Sequence, residues 1–184
     1  MRIRYILLFV LGLSFLISAC RPSPSTPFDA LFEFPSTLEG ADAAPKNSVQ
    51  VLAEEEVAGG LVILYSRPSK EAPSGEAGGN ILARTFVTPE GRGWRAQASG
   101  SIGYSDSDDF VVAQTVGGNI TDLTTAYGIS DKGDNVRIEW SDGQIDIVPI
   151  ADGVFLLSRP DRLAVRLVEL LDSSGKVLES TKFD

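Results

Sequence analysis

From Ser48 onward the chain consists of short apolar runs, rich in valine, isoleucine and leucine, separated by glycine and aspartate. Branched apolar side chains suit the pleated surface of a sheet, and glycine and aspartate favour chain reversal, so the pattern predicts strands joined by tight turns. Strands are expected near 49–57, 61–67, 81–88, 94–104, 110–116 and 120–129, then near 136–140, 144–150, 153–158, 163–171 and 176–182. Gly59-Gly60 and Asp142-Gly143 sit between apolar runs and can supply the positive φ angles that hairpins need. Val136, Ile138 and Trp140 alternate with Arg137 and Glu139, which predicts one buried and one wet face. Leu163, Val165 and Leu167 begin in the same way, but the run becomes apolar on both sides after Val168, a pattern common to a central strand and a helix.

Two polar breaks organise the chain. Pro68 to Gly79, PSKEAPSGEAGG, has no large apolar residue and predicts a loop. Ser105 to Asp109, SDSDD, separates an amino-terminal β-rich subdomain, 28–105, from a carboxy-terminal one, 106–184. Phe28, Leu31, Phe32 and Phe34 lie among acidic and small residues before the first strand, where one helical turn fits. The segments 60–68, GLVILYSRP, and 153–160, GVFLLSRP, echo one another, as buried strands leaving through proline do by convergence. In the back half, WSDG (140–143), VPIADGVF (148–155) and LDSSGKV (171–177) resemble the carboxy-terminal β-sandwich module of exported proteins of Gram-positive and related bacteria that have no assigned activity. Gly60 to Tyr65 and Gly93-Trp94 are similar to the segment that often precedes that module. The expected fold is mainly β with antiparallel sheets: a β-rich front followed by an immunoglobulin-like β-sandwich half.

The amino terminus has a different grammar. Arg2 and Arg4 precede an almost wholly apolar run from Tyr5 to Ile17, the layout of an export signal. The run is shorter than the roughly 20 apolar residues that span a bilayer core, and Arg21 and a proline-rich stretch follow at once. It ends Ile17-Ser18-Ala19-Cys20, which resembles the lipobox of bacterial lipoproteins. That resemblance implies a signal peptide over 1–19, cleavage before Cys20 and lipid on the Cys20 sulfur. Residues 20–27 then read as a lipidated spacer, with RPSPSTP over 21–27 favouring extended chain. Each buried methylene contributes about 0.8 kcal/mol, so two or three acyl chains would hold the protein on a membrane lastingly.

Charge and missing residue types narrow the chemistry. Cleavage removes Arg2 and Arg4 from the 16 basic side chains, leaving 14 against 25 acidic ones, a net charge near −11 that repels nucleic acid and anionic lipid headgroups. Cys20 is the only cysteine, so once it is lipidated there is neither a disulfide nor a thiol nucleophile. With no histidine, serine–histidine triads and histidine zinc sites are excluded.

The remaining candidates are weak. Asp106, Asp108 and Asp109 offer oxygen ligands for calcium, but Phe110 stands where an EF-hand needs a third ligand. Asp131, Asp134 and Asn135 bound a second such turn. Glu54, Glu55, Glu56, Glu139 and Asp146 are the carboxylates open to paired acid–base work on a glycoside, with nothing in the sequence to set two of them across a cleft. Asn119-Ile120-Thr121 matches a glycosylation acceptor, irrelevant behind a bacterial signal, and the glycines near 78, 91–93 and 117 lack the strand-to-helix context of a phosphate loop. Trp94, Tyr104, Tyr127 and Trp140 would make a platform for a sugar or protein if two faced outward; aromatics on alternating strands more often belong to a core.

These readings predict a protein without cofactor or enzymatic activity, lipid-anchored outside the cytoplasm on a cell membrane or outer membrane, that binds an envelope protein, glycan or small ligand. The alternative is a carboxylate-dependent envelope hydrolase. Cys20→Ser is expected to abolish labelling by radioactive palmitate in a bacterial host and to leave an unprocessed or released protein; labelling that persists would overturn the lipobox reading.

Overall fold

The computed structural model describes residues 23–32, 45–69, 79–116, 122–161 and 163–183. The expected signal peptide with Cys20, most of the predicted 68–79 loop, and the whole Asn119-Ile120-Thr121 acceptor motif lie outside them.

Among the described residues eleven strands form in the predicted places: β1 (Gln50–Val57), β2 (Gly60–Pro68), β3 (Asn80–Glu90), β4 (Gly93–Tyr104), β5 (Phe110–Thr115), β6 (Leu123–Ser130), β7 (Asn135–Trp140), β8 (Ile145–Pro149), β9 (Val154–Pro160), β10 (Val165–Leu171) and β11 (Val177–Lys182). They make three antiparallel sheets: a front sheet β1-β2-β3-β4, a middle sheet β5-β6-β9 and a back sheet β11-β10-β7-β8. The fold is mainly β and sandwich-like. Middle and back sheets form the sandwich of the carboxy-terminal half, but its fourth strand, β8, lies beside β7 on the four-stranded sheet. In a constant-type immunoglobulin domain that strand joins the other sheet.

The layers stack because the alternation of side chains serves two interfaces at once. Val112, Ala126 and Phe155 of the middle sheet point back onto Val136, Ile138, Trp140, Val165, Val168 and Leu170. Their neighbours Val111, Ala113, Tyr127 and Val154 point forward onto Leu64 and Leu82 of the front sheet. The front sheet turns its other face, with Ile63, Tyr65, Ala83 and Val87, to Ala30 and Leu31 of the amino-terminal segment. The polar break at 105–109 thus lies between β4 and β5, while apolar packing continues across it.

The ambiguous run after Leu163 is strand β10, central between β7 and β11. A register shift between Val165 and Leu167 places Val165 and Val168, three residues apart, on the same core. Bulges of this kind explain why its apolar residues break a strict two-residue period.

The predicted turns form with one adjustment. Gly143 has φ +83° and its N–H bonds to the Trp140 carbonyl at 2.9 Å, as expected for Asp142-Gly143. At the first hairpin Gly59 takes the positive φ, +85°, and Gly60 already belongs to β2. Asp152 and Gly153, φ +51° and +77°, make a further two-residue turn that carries the chain from β8 in the back sheet to β9 in the middle one.

The spacer reading needs correction from Pro24 onward. Pro24 is buried, and its carbonyl accepts the Trp94 N–H at 2.9 Å. A Cβ on Gly93 would lie 2.4 Å from that carbonyl, so the absent side chain lets the segment seat against β4. The single helical turn follows as α1 (Pro27–Ala30), where the Thr26 side chain accepts the Asp29 N–H at 3.1 Å. Lys46 then pairs with Asp29 at 3.0 Å. Fixed chain thus begins within four residues of Cys20, because Phe28, Leu31 and Phe32 supply the apolar cover for the front sheet.

Within the middle sheet Gly128 of β6 is crowded by both neighbouring strands: a Cβ there would meet the Val111 carbonyl oxygen of β5 at 2.2 Å and the Phe155 ring of β9 at 2.4 Å. Gly128→Ala should therefore cost about 1–3 kcal/mol or more of unfolding free energy by urea denaturation. A neutral result would show that β5 and the Phe155 ring do not close on Gly128 in this way.

Candidate functional site

The interface between front and middle sheets carries a buried polar chain in an otherwise apolar layer. Arg84 of β3 shares the middle-facing side of its strand with Leu82 and is fully buried. Its guanidinium donates to the Ala98 carbonyl at 3.3 Å and to the Thr125 hydroxyl at 3.1 Å, while Nε has no hydrogen-bond partner. Thr125 meets the Ser158 hydroxyl at 3.1 Å. Ser158 in turn donates its backbone N–H to Oε1 of Glu55 at 3.2 Å, across 103 residues of sequence. Burial pushes the Arg84 guanidinium down to about 10, with Tyr127 acting in the opposite direction. Tyr127 is itself pushed up, chiefly by burial.

Glu55 stands where the chain of contacts reaches a cleft. Strands β1 and β9 are edge strands of their sheets, and the Glu55 carboxylate caps a ladder N–H of β9 that no strand pairs. Beside this contact opens a cleft of about 550 Å³. Its walls include Val57, Phe86, Leu123 and Pro160, its polar lining includes Glu55, Glu56 and Asp122, and no basic side chain lines it among the described residues. Glu55 is half-buried, and its Oε2 is closed off with no hydrogen-bond partner.

The other sequence candidates are dispersed. Asp106 accepts from Asn80 Nδ2 at 2.7 Å, Asp108 from the Ser105 N–H at 2.7 Å, and Asp109 pairs with Lys132. Asp106, Asp108 and Asp131 do line a shallow cleft with Tyr104 and Ser130. Even so, no group of three or more acidic side chains among the described residues is arranged to hold a metal ion. Asp134 and Asn135 lead into β7.

Of the carboxylates considered for acid–base work, Asp146 is held by Arg159 at 2.7 Å and by the Trp140 indole N–H at 2.8 Å. Arg159 also covers the Trp140 ring, 5.2 Å from its centroid, and reaches Gln144 at 2.8 Å, so this cluster clasps β9 to β8. Glu139 faces away from the Trp140 core, and Glu54 and Glu56 are exposed on either side of Glu55. Trp140 and Tyr127 are buried in the two sheet interfaces, while Trp94 packs against the amino-terminal segment; they form no outward platform.

Reading the sequence singled out Glu55 only as one of three consecutive glutamates and passed over Arg84, Ser158 and Asp122. A charged Arg84 inside the strand run ILARTFV was the available signal. Comparison with protein-family models, curated proteins and solved structures returned no match.

Among the described residues no carboxylate bonds the Arg84 guanidinium, so its shape should matter more to stability than its charge. Arg84→Met should stay within about 1 kcal/mol of the parent or exceed it, whereas Arg84→Ala should lose about 2–5 kcal/mol through the void it leaves. Equal losses in urea unfolding would show that the guanidinium hydrogen bonds, not its volume, hold the two sheets together.

Proposed function

We propose that the chain is a non-catalytic, extracytoplasmic binding module, lipid-anchored through Cys20 on a cell membrane or outer membrane, and that its ligand occupies the cleft between β1 and β9. The observation that carries this reading is the cleft itself, a largely apolar concavity with a few convergent polar groups between two packed sheets, which is the usual form of a small-ligand site.

The attachment of the amino-terminal segment supports the tethering geometry. Four residues of extended chain reach at most about 14 Å, so lipid on Cys20 would hold Pro24 close to the membrane. Pro24 docks at the β3–β4 turn, and antiparallel order puts that turn at the same end of the front sheet as the β1–β2 turn lining the cleft. The cleft would then open close to the membrane surface. The alternative, a carboxylate-dependent envelope hydrolase, has in its favour that Glu55 and Asp122 line one cleft from different elements. Against it, Glu55 already holds the Ser158 N–H.

Ligand-observed NMR on the mature chain, using amines, oligosaccharides and short peptides, tests the reading. Ala58 is an exposed turn residue on the cleft wall, so Ala58→Trp should fold normally and obstruct the site. The expected outcome is saturable binding lost in that variant, with the ligand recovered unchanged. Binding unaffected by Ala58→Trp, or turnover of an oligosaccharide that depends on both Glu55 and Asp122, would overturn it.

A further inference from the structure

We infer that the cleft between β1 and β9 holds one hydrocarbon chain of an uncharged or zwitterionic membrane lipid, gripped by the apolar walls while the head group stays in solvent. The inference rests on the binding-module reading, and on the tether at Cys20 for the source of the chain; it adds the ligand's chemical class.

The polar side chains that line the cleft are already engaged. Oε1 of Glu55 accepts the Ser158 N–H, and Oε2 is closed to solvent and so out of a ligand's reach. The Ser158 hydroxyl lies 3.1 Å from that of Thr125, and the Thr88 hydroxyl accepts from Gln97 Nε2 at 2.9 Å. Asp122 has an interaction partner of its own. Of the described polar side chains in the lining that leaves Glu56, which is exposed and stands in water at the rim.

What faces a ligand inside is therefore the set of walls made by Val57, Phe86, Leu123 and Pro160. A ligand held there gains by taking apolar surface out of water, and a charged or strongly hydrated group carried inside would lose its water without finding a free partner. A hydrocarbon chain meets both conditions. A sugar or a peptide backbone brings donors and acceptors along its whole length and meets neither.

Position gives the source of the chain. The cleft opens at the end of the front sheet where Pro24 docks, the end that lipid on Cys20 would hold close to a bilayer, so lipid chains are the hydrocarbon within reach. Exposed Glu54 and Glu56 on the same edge strand disfavour an anionic head group there.

NMR titration of the full mature chain tests this with hexanol, octanol, octanoate, octylammonium and dihexanoylphosphatidylcholine, the last kept below the concentration at which it forms micelles. Octanol should bind at the cleft about tenfold more tightly than hexanol, the effect of two further buried methylenes. Octylammonium and octanoate should lie within about fivefold of octanol, because their charges remain in water, where a charge pair counts for little. Dihexanoylphosphatidylcholine should displace octanol, and Ala58→Trp should remove the binding of both.

Equal affinity for hexanol and octanol would overturn the hydrocarbon site, and a larger preference for either ion would overturn the head group's place in solvent. Failure of dihexanoylphosphatidylcholine to displace octanol would overturn the lipid source. Each of these outcomes leaves the binding-module reading standing, and none requires a variant to fold. If no alkyl probe binds at the cleft the inference fails, and if the amines, oligosaccharides and peptides fail there as well the binding-module reading falls with it. Octanol binding that persists in a folded Ala58→Trp chain would place the hydrocarbon outside the cleft and overturn the inference too.

Discussion

Double-sided burial of the three-stranded middle sheet is the constraint on which the rest of the structure depends. Strands β5, β6 and β9 carry apolar side chains on both faces, so each face must be covered by a separate sheet. A sheet exposed on either side would leave Val112 and Phe155, or Val111 and Tyr127, in water, and at a few kcal/mol per large side chain neither half could stand as it is without the other. Gly128 shows how closely that sheet is packed within itself, because Val111 of β5 and Phe155 of β9 leave no room for a methyl group.

Arg84 and Glu55 are exceptions inside that apolar stack, and both sit on the front–middle interface. Buried polar groups cost free energy unless hydrogen-bonded, and here the bonds run through Ala98, Thr125 and Ser158 without closing completely. Departure from an all-apolar interface occurs where the two edge strands β1 and β9 diverge and the cleft begins. On the other interface the polar cluster of Trp140, Asp146 and Arg159 is closed: indole, carboxylate and guanidinium satisfy one another.

Local chemistry was readable where it acts over a few residues. The alternation in Val136-Ile138-Trp140 and the turn at Asp142-Gly143 are settled by neighbours along the chain, so strand positions and the hairpin appear where periodicity and turn residues put them. The aspartates at 106, 108 and 109 show the converse: adjacency in sequence suggested joint ligation, but Asn80, the Ser105 N–H and Lys132 draw them to different partners. The extended composition of Ser23-Pro24-Ser25 suggested a free spacer, and only contact with Gly93 and Trp94 binds it to the sheet.

By itself the sequence determined the strand content and the main turns, because side-chain period and glycine placement act within a few residues. It also excluded histidine chemistry, through the residue type it lacks. Tertiary structure alone decided how eleven strands divide into three sheets, why β8 joins the back one, and how Glu55 meets Ser158. Those outcomes depend on pairing and packing between segments up to a hundred residues apart, which no local pattern encodes; the cleft exists only because edge strands from two different sheets are brought side by side.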